Sequence, residues 1–379
     1  MFDLYIKNAK TATEEPIEIG ITNGKIVAIE KKLQVKDAKK TIDLNHQSYL
    51  SAGWIDGHTH CYEEMNLYYD SPDTIGYTKG VTSVIDAGST GADNIAEFYS
   101  LASQAKTNVF ALVNISKTGI VHQNELADLT NIQEKKVSEV IKNYPDFIVG
   151  IKARMSKTVI GDNGIRPLEL AKLIQEKNQA IPLMVHVGSA PPDLKTILSI
   201  MDKGDVLTHC YNGKLNGILN ETGQIHDFVW DAYQKGIRFD IGHGTDSFNF
   251  AVAEQAKREK LICHIVSTDI YHRNREDGPV YNFSTVIEKM LFLGYALSDI
   301  IPMVTTNPAK AFQLKSKGTL EIGYDADITI FDVENKEKTL VDSNGNTRKT
   351  TQVITPIYTI IGGNDYRVGV EEDGLLQEI

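Results

Sequence analysis

Two histidines stand at positions 58 and 60, at the end of the apolar run GWIDGHTH (53–60). On a strand, residues i and i+2 face the same way, so both imidazoles can reach one ion. The pair alone leaves two readings open, metal ligands or structural histidines. His186 lies in PLMVHVG (182–188) and His209 in VLTHCYNG (206–213). One histidine after an apolar strand is more often a packed residue, but four at the ends of three such runs favour metal. Imidazole with carboxylate favours zinc and leaves manganese, iron and cobalt open. Asp269 ends IVSTD (265–269). It reads as a helix N-cap or as a metal ligand and general base, and the histidines favour the second.

Lys152 lies in IVGIKARM (148–155). A charged lysine in an apolar barrel mouth is costly, and burial lowers its pKa. A neutral amine can react with CO₂ to form a carbamate, an anion with two oxygens that can bridge two ions. A buried lysine paired with an acid, or one reaching water, stays open beside it. Arg154, two residues on, shares the face of Lys152. It could stabilise an oxyanion, clamp a substrate carboxylate, or pair with an acid. His243, in RFDIGHG (238–244), could donate to substrate or be structural. Tyr211 and Asn212 follow His209, and Asn282 lies in GPVYNF; these are candidate lining residues. Cys61, Cys210 and Cys263 each adjoin a histidine, but adjacent strand residues face opposite ways, so all three read as packing. Three cysteines give no disulfide framework. His46, His122, His226, His264 and His272 are expected to be structural or exposed.

These residues need elements to hold them. Eight short apolar runs, from GWIDGHTH to IVSTD, recur about every 30 residues with helix-like text between them, the size of a βα unit. Eight such units predict an α/β fold, a (β/α)₈ TIM barrel over 51–314, whose chemistry sits at the carboxyl ends of its strands. The two ends of the chain differ. IEIGIT, Asn23-Gly24 and KIVAIEK predict a hairpin with a type I′ turn. ADITIFDV (326–333), a polar turn over 343–351 and VITPIYTIIGG (353–363) predict further strands. Residues 1–50 plus 315–379 are expected to form one small β-sandwich domain.

The chain has 379 residues and a formal charge of −11. That acidity argues against nucleic-acid and anionic-membrane partners. No run approaches the roughly 18 apolar residues of a membrane span. The amino end carries Asp3 and no long apolar stretch, so a cytoplasmic location is expected. The expected partners are a small-molecule substrate, anionic if Arg154 clamps it, and further copies of the chain in a homo-oligomer.

His-x-His, then lysine, His, His and Asp at successive strand ends resembles the binuclear amidohydrolase superfamily. The flanking FDLYIKNAK…GKIVAIEKKL and GYDADITIFDV segments extend the likeness over almost the whole chain. The resemblance implies two divalent ions, zinc foremost. His58, His60 and Asp269 would bind one, His186 and His209 the other, with N6-carboxylated Lys152 bridging both. A bridging hydroxide would attack the substrate. Two ions against carbamate, aspartate and hydroxide leave about one positive charge, suited to a developing oxyanion. FDIGHG, KAR and HCYN look most like the dihydroorotase-related deacetylases. That implies hydrolysis of an acyl amide or ester, such as an N-acyl amino acid or an O-acetyl hydroxy acid. The rivals are adenine or other nucleobase deamination, cyclic amide hydrolysis as in dihydroorotase, and a metal-free scaffold.

Overall fold

Asn23 and Gly24 take φ of 52° and 71°, the left-handed pair that a two-residue type I′ turn requires. They join Pro16–Thr22 (β2) to Lys25–Glu30 (β3), with Thr22 opposite Lys25. This hairpin belongs to a sheet built from both ends of the chain. The structure is a computed structural model and describes residues 1–369; residues 370–379 of the expected terminal domain lie outside the described residues. The other amino-end strands are Phe2–Lys10 (β1), Ala38–Asp43 (β4) and Tyr49–Ala52 (β5). β5 pairs with a strand from the far end of the chain, Ile328–Val341. The expected sandwich strands are thus joined in one hydrogen-bonded sheet, branched at β1. Leu4, Ile6, Ile19, Ile21, Ile328 and Ile360 share its own apolar core.

Seven parallel strands form the second sheet: Trp54–Thr59 (β6), Val81–Ala87 (β7), Asn108–Asn114 (β8), Ile148–Met155 (β9), Leu183–Val187 (β10), Val206–Thr208 (β11) and Arg238–Phe239 (β12). They pair in chain order, each parallel to the next. The eighth expected strand forms no ladder. Segment 265–270 instead makes single bridges, Ile265 to Asp240 and Ile270 to Thr59. β11 and β12 are also shorter than expected. The cause is backbone: His209, Gly242, Gly244 and Asp269 take φ of 66°, 45°, 55° and 51°, which no strand can continue through.

The carboxyl-end hairpin is longer than expected. Its strands are Ile328–Val341 (β13) and Thr347–Ile361 (β14), and Asn364–Arg367 (β15) completes the sheet. Its polar outer half, read as turn, stays extended because it lies on helix Phe283–Phe292: Lys338 Nζ reaches Glu288 at 2.7 Å, and Ile354 N–H donates to the same carboxylate at 3.1 Å. The two sheets meet where Trp54 N–H donates to Thr329 Oγ1 at 3.1 Å and that hydroxyl donates to Gly80 O at 2.7 Å. Among the described residues no helix is long and apolar enough to cross a membrane.

The parallel sheet separates two apolar regions. Trp54, Val84, Val113 and Val185 belong to the large core shared with the helices. Ile55, Ile85, Leu112, Met184 and Val206 face the other way and pack with Phe312. Phe312→Ala removes the largest side chain of that inner cluster. It is expected to cost about 3–5 kcal/mol of stability, read from the urea midpoint.

Candidate metal centre and active site

A cavity of about 590 Å³ opens at the carboxyl ends of the parallel strands. His58, His60, Lys152, Arg154, His186, His209 and Asp269 all line it. The structure therefore brings together every expected metal ligand. His58 ends β6, Lys152 and Arg154 end β9, and His186 is in β10. His60 and His209 lie just past β6 and β11, and Asp269 lies in the bridged segment 265–270.

Each imidazole is held by its own acceptor or donor. Thr208 O–H donates to Asp240 Oδ2 at 2.6 Å, so its oxygen accepts from His58 Nδ1–H at 2.9 Å. Ser89 O–H donates to Asp86 Oδ2 at 2.8 Å and accepts from His60 Nδ1–H at 2.8 Å. His209 Nδ1–H donates to Gly242 O at 2.6 Å. These partners fix the tautomer and leave Nε2 of all three rings as a lone pair. Ser156 Oγ occupies Nε2 of His186 at 2.9 Å, which leaves Nδ1 for the site.

Those lone pairs meet another acceptor. Asp269 Oδ1 lies 3.1 Å from His60 Nε2 and 3.3 Å from His58 Nε2. A neutral ring that donates through Nδ1 brings only a lone pair to Asp269. Burial holds His58 well below the ordinary imidazole range, helped by the charge of Lys152, so protonation of that ring does not resolve its contact with Asp269. A cation does. His58, His209 and Asp269 each offer a ligand atom within 4.8 Å of the others. Nitrogen and carboxylate donors of this kind suit zinc-class divalent ions.

Burial pushes His209 down to about 4 and Lys152 down to about 7. The Lys152 amine touches His58 Nε2 at 3.1 Å and Met184 Sδ at 3.1 Å. Burial raises the Asp269 carboxyl, but the His60 contact and the cationic neighbours outweigh it and hold the group below the usual range. Its side chain keeps 18% exposure, against 1% for His58, so it reaches further into the open cavity than that ring does.

Arg154 is committed. Its Nη1 lies 3.2 Å from both oxygens of Glu125, and Nη2 donates to Gln123 Oε1 at 3.0 Å. Three expected lining residues lie elsewhere. His243 is fully buried; its Nε2 accepts from Lys289 Nζ at 2.7 Å and its ring stacks on Phe248 at 4.6 Å. The left-handed glycines on either side turn it away from the cavity. Tyr211 is buried with its hydroxyl donating to Leu261 O at 2.8 Å, because His209 just before it leaves the strand path. Asn282 caps helix Phe283–Phe292 through Thr285 N–H at 2.8 Å. Asn212 is also buried and holds its own turn, its amide donating to His209 O. The three cysteines are buried and free, as packing residues. His272, expected to be structural or exposed, lies at the cavity rim beside Arg273.

The sequence reading missed Tyr68, Gln123, Lys214 and Thr245 in the cavity wall. It also missed Asp86, Asp240, Ser89 and Thr208 behind the ligands. Asp86 and Asp240 carried a signal, as carboxylates placed inside apolar strand text in SVIDAG and RFDIGHG. Thr208→Val removes the acceptor of His58 Nδ1–H while keeping the side-chain shape. It is expected to weaken zinc binding about 10–100-fold in a chelator competition, with the fold intact by circular dichroism.

The Deacetylase-like composite domain model matches residues 320–367. A protein named Deacetylase from Enterococcus faecalis is 62% identical over 366 residues, covering 96% of this chain and 99% of that protein. A solved structure described as an adenine deaminase is 61% identical with a TM-score of 0.96, over 97% of this chain and 100% of that one. Another, described as a dihydroorotase, is 31% identical with a TM-score of 0.86, over 96% and 97%. Identity of 62% along nearly the whole of both chains makes this protein a member of the deacetylase family within the amidohydrolase superfamily.

Proposed function

We propose that the chain is a metal-dependent deacylase. It removes an acetyl or similar acyl group from a small amide or ester, with N-acyl amino acids and O-acetyl hydroxy acids as the leading substrates. One observation carries the metal reading: Nε2 of His58 and of His60 converge on Asp269 Oδ1 at 3.3 and 3.1 Å, while Nδ1 of each ring has its own partner in Thr208 and Ser89. His186 and His209 supply a second pair of donors, their rings 4.5 Å apart. Lys152 reaches between the two groups, and its amine, held near pKa 7, has the neutral form that reacts with CO₂. We therefore assign two zinc ions, which His58, His60, His186, His209 and Asp269 would hold together with carboxylated Lys152. The relative named Deacetylase supports acyl transfer to water as the reaction.

Bound divalent ions would polarise the acyl carbonyl and acidify the attacking water. The residues do the rest. Asp269 takes the proton of the attacking water through its exposed carboxylate edge and returns it to the departing nitrogen or oxygen. The products are the carboxylate and the free amine or alcohol. Arg154, fixed by Glu125, contributes a positive field to the cavity wall. The eight-unit (β/α)₈ barrel, a homo-oligomer and a cytoplasmic setting remain part of this proposal.

A second reading has its own support. The solved relative described as an adenine deaminase is 61% identical. In that reading water attacks the ring carbon that bears the exocyclic amine, and ammonia leaves. Elemental analysis and substrate turnover decide between them. The parent, prepared with zinc and bicarbonate, is expected to hold about two ions per chain and Lys152→Ala fewer. Acyl amino and hydroxy acids are expected to turn over, with Asp269→Asn lowering kcat about 10²–10⁴-fold. About one ion in both proteins, with ammonia released from adenine, would install the deaminase instead.

A further inference from the structure

The turn Gly242-His243-Gly244 touches three of the proposed ligands. Gly242 O holds His209 Nδ1–H at 2.6 Å. A Cβ on Gly242 would come within 2.2 Å of Thr208 Oγ1 and 2.9 Å of His58 Nδ1, and one on Gly244 within 2.4 Å of Asp269 Oδ2. The backbone of this turn is therefore pressed against the ligand set from behind.

The opposite side of the turn is held by groups that the hydrolysis does not use. Ser343, at the tip of the β13–β14 hairpin, lies 3.0 Å from Gly244 O and 3.3 Å from His243 O through its hydroxyl. The same hydroxyl accepts from Phe248 N–H at 3.2 Å, and Ser343 N–H donates to Phe248 O at 2.9 Å. Asp342 accepts Phe250 N–H at 2.9 Å. His243 Nδ1–H donates to Gly244 O at 2.9 Å, so its Nε2 is an acceptor, filled by Lys289 Nζ at 2.7 Å. Lys289 also donates to Pro279 O at 2.9 Å. Its helix neighbour Glu288 binds both strands of the hairpin, through Lys338 on β13 and Ile354 N–H on β14.

We infer that the hairpin tip and the Lys289–His243 pair form a clamp that positions the 242–244 turn, and through it His209 and Asp269. Ser343, Lys289 and His243 are then positioning residues, contributed in part by the sheet built from the chain ends. They touch neither substrate nor ion. A buried polar pair such as Lys289–His243 fixes one arrangement because every alternative strands a donor or an acceptor.

This clamp rests on the metal reading, so its test begins with zinc affinity, measured by competition with a chromophoric chelator on the full chain. Ser343→Ala and Lys289→Met are expected to weaken zinc about 10-fold. Each should lower kcat on the best acyl substrate while KM stays within about twofold. Ser343→Thr keeps the hydroxyl and should restore both. A purely stabilising role would lower the melting temperature and leave zinc affinity at 25 °C unchanged; that result overturns the clamp. Should Lys289→Met fail to fold, Ser343→Ala alone decides, since its side chain lies near the surface. A parent chain that takes up no zinc overturns the metal reading and the clamp together.

Discussion

Burial of His58, His186 and His209 beside Lys152 makes charge on any of these groups expensive. Those three rings are therefore held toward the neutral form, and the hydrogen-bond partners decide which nitrogen of a neutral ring keeps its proton. Thr208, Ser89 and Gly242 O each take one Nδ1–H. The two hydroxyls can accept because Asp240 and Asp86 take their own protons. Burial in turn pushes Asp240 up to about 6, opposed by Thr208 and a 2.6 Å hydrogen bond from Ser267. This outer layer orients the imidazoles of the candidate site without the help of an ion.

The backbone carries a matching strain. His209 and Asp269 are non-glycine residues in left-handed conformation, each costing about 1–3 kcal/mol. Hydrogen bonds across the strand ends hold them there. Asp269 N–H donates to His58 O at 2.7 Å, and His60 N–H to Ile270 O at 2.9 Å. Thr268 N–H and hydroxyl both reach Asp56, whose carboxyl burial pushes up to about 8. The first and last ligand segments, some 210 residues apart in the chain, are thereby stitched directly together. That departure from the strand path shortens β11 and β12 and replaces the eighth ladder with single bridges.

The same geometry explains what could be read from the residues alone. His58, His60, Lys152, His186, His209 and Asp269 were readable because each ends an apolar run, and parallel strands bring such ends together. Asn23-Gly24 was readable because few residue pairs accept two left-handed conformations. His243 was misread for the converse reason: alternation fails where Gly242 and Gly244 reverse the chain. Tyr211 failed in the same way, two residues after a turned His209. The outer layer and the Ser343 contact join residues far apart in sequence, and no local pattern encodes those pairings. Thr208 and Ser89 resemble any other buried hydroxyl until the facing histidine is known.

Arg154 shows how a charge fixed in the cavity wall can act on its neighbours. Its planar fork is shared by Glu125, and burial pushes that carboxyl up while Arg154 pulls it back. Breaking such a pair would strand a charge in a dry wall, so Arg154 is poorly placed to swing onto a ligand. Its field still reaches Lys152 and His186. After burial, and against the opposing pull of Asp269 on Lys152, the guanidinium is among the charges that lower both. Arg154 thus favours the deprotonated Lys152 amine, the form that can add CO₂. Glu125 anchors the guanidinium in place, so the ion pair fixes Arg154 where it conditions the lysine.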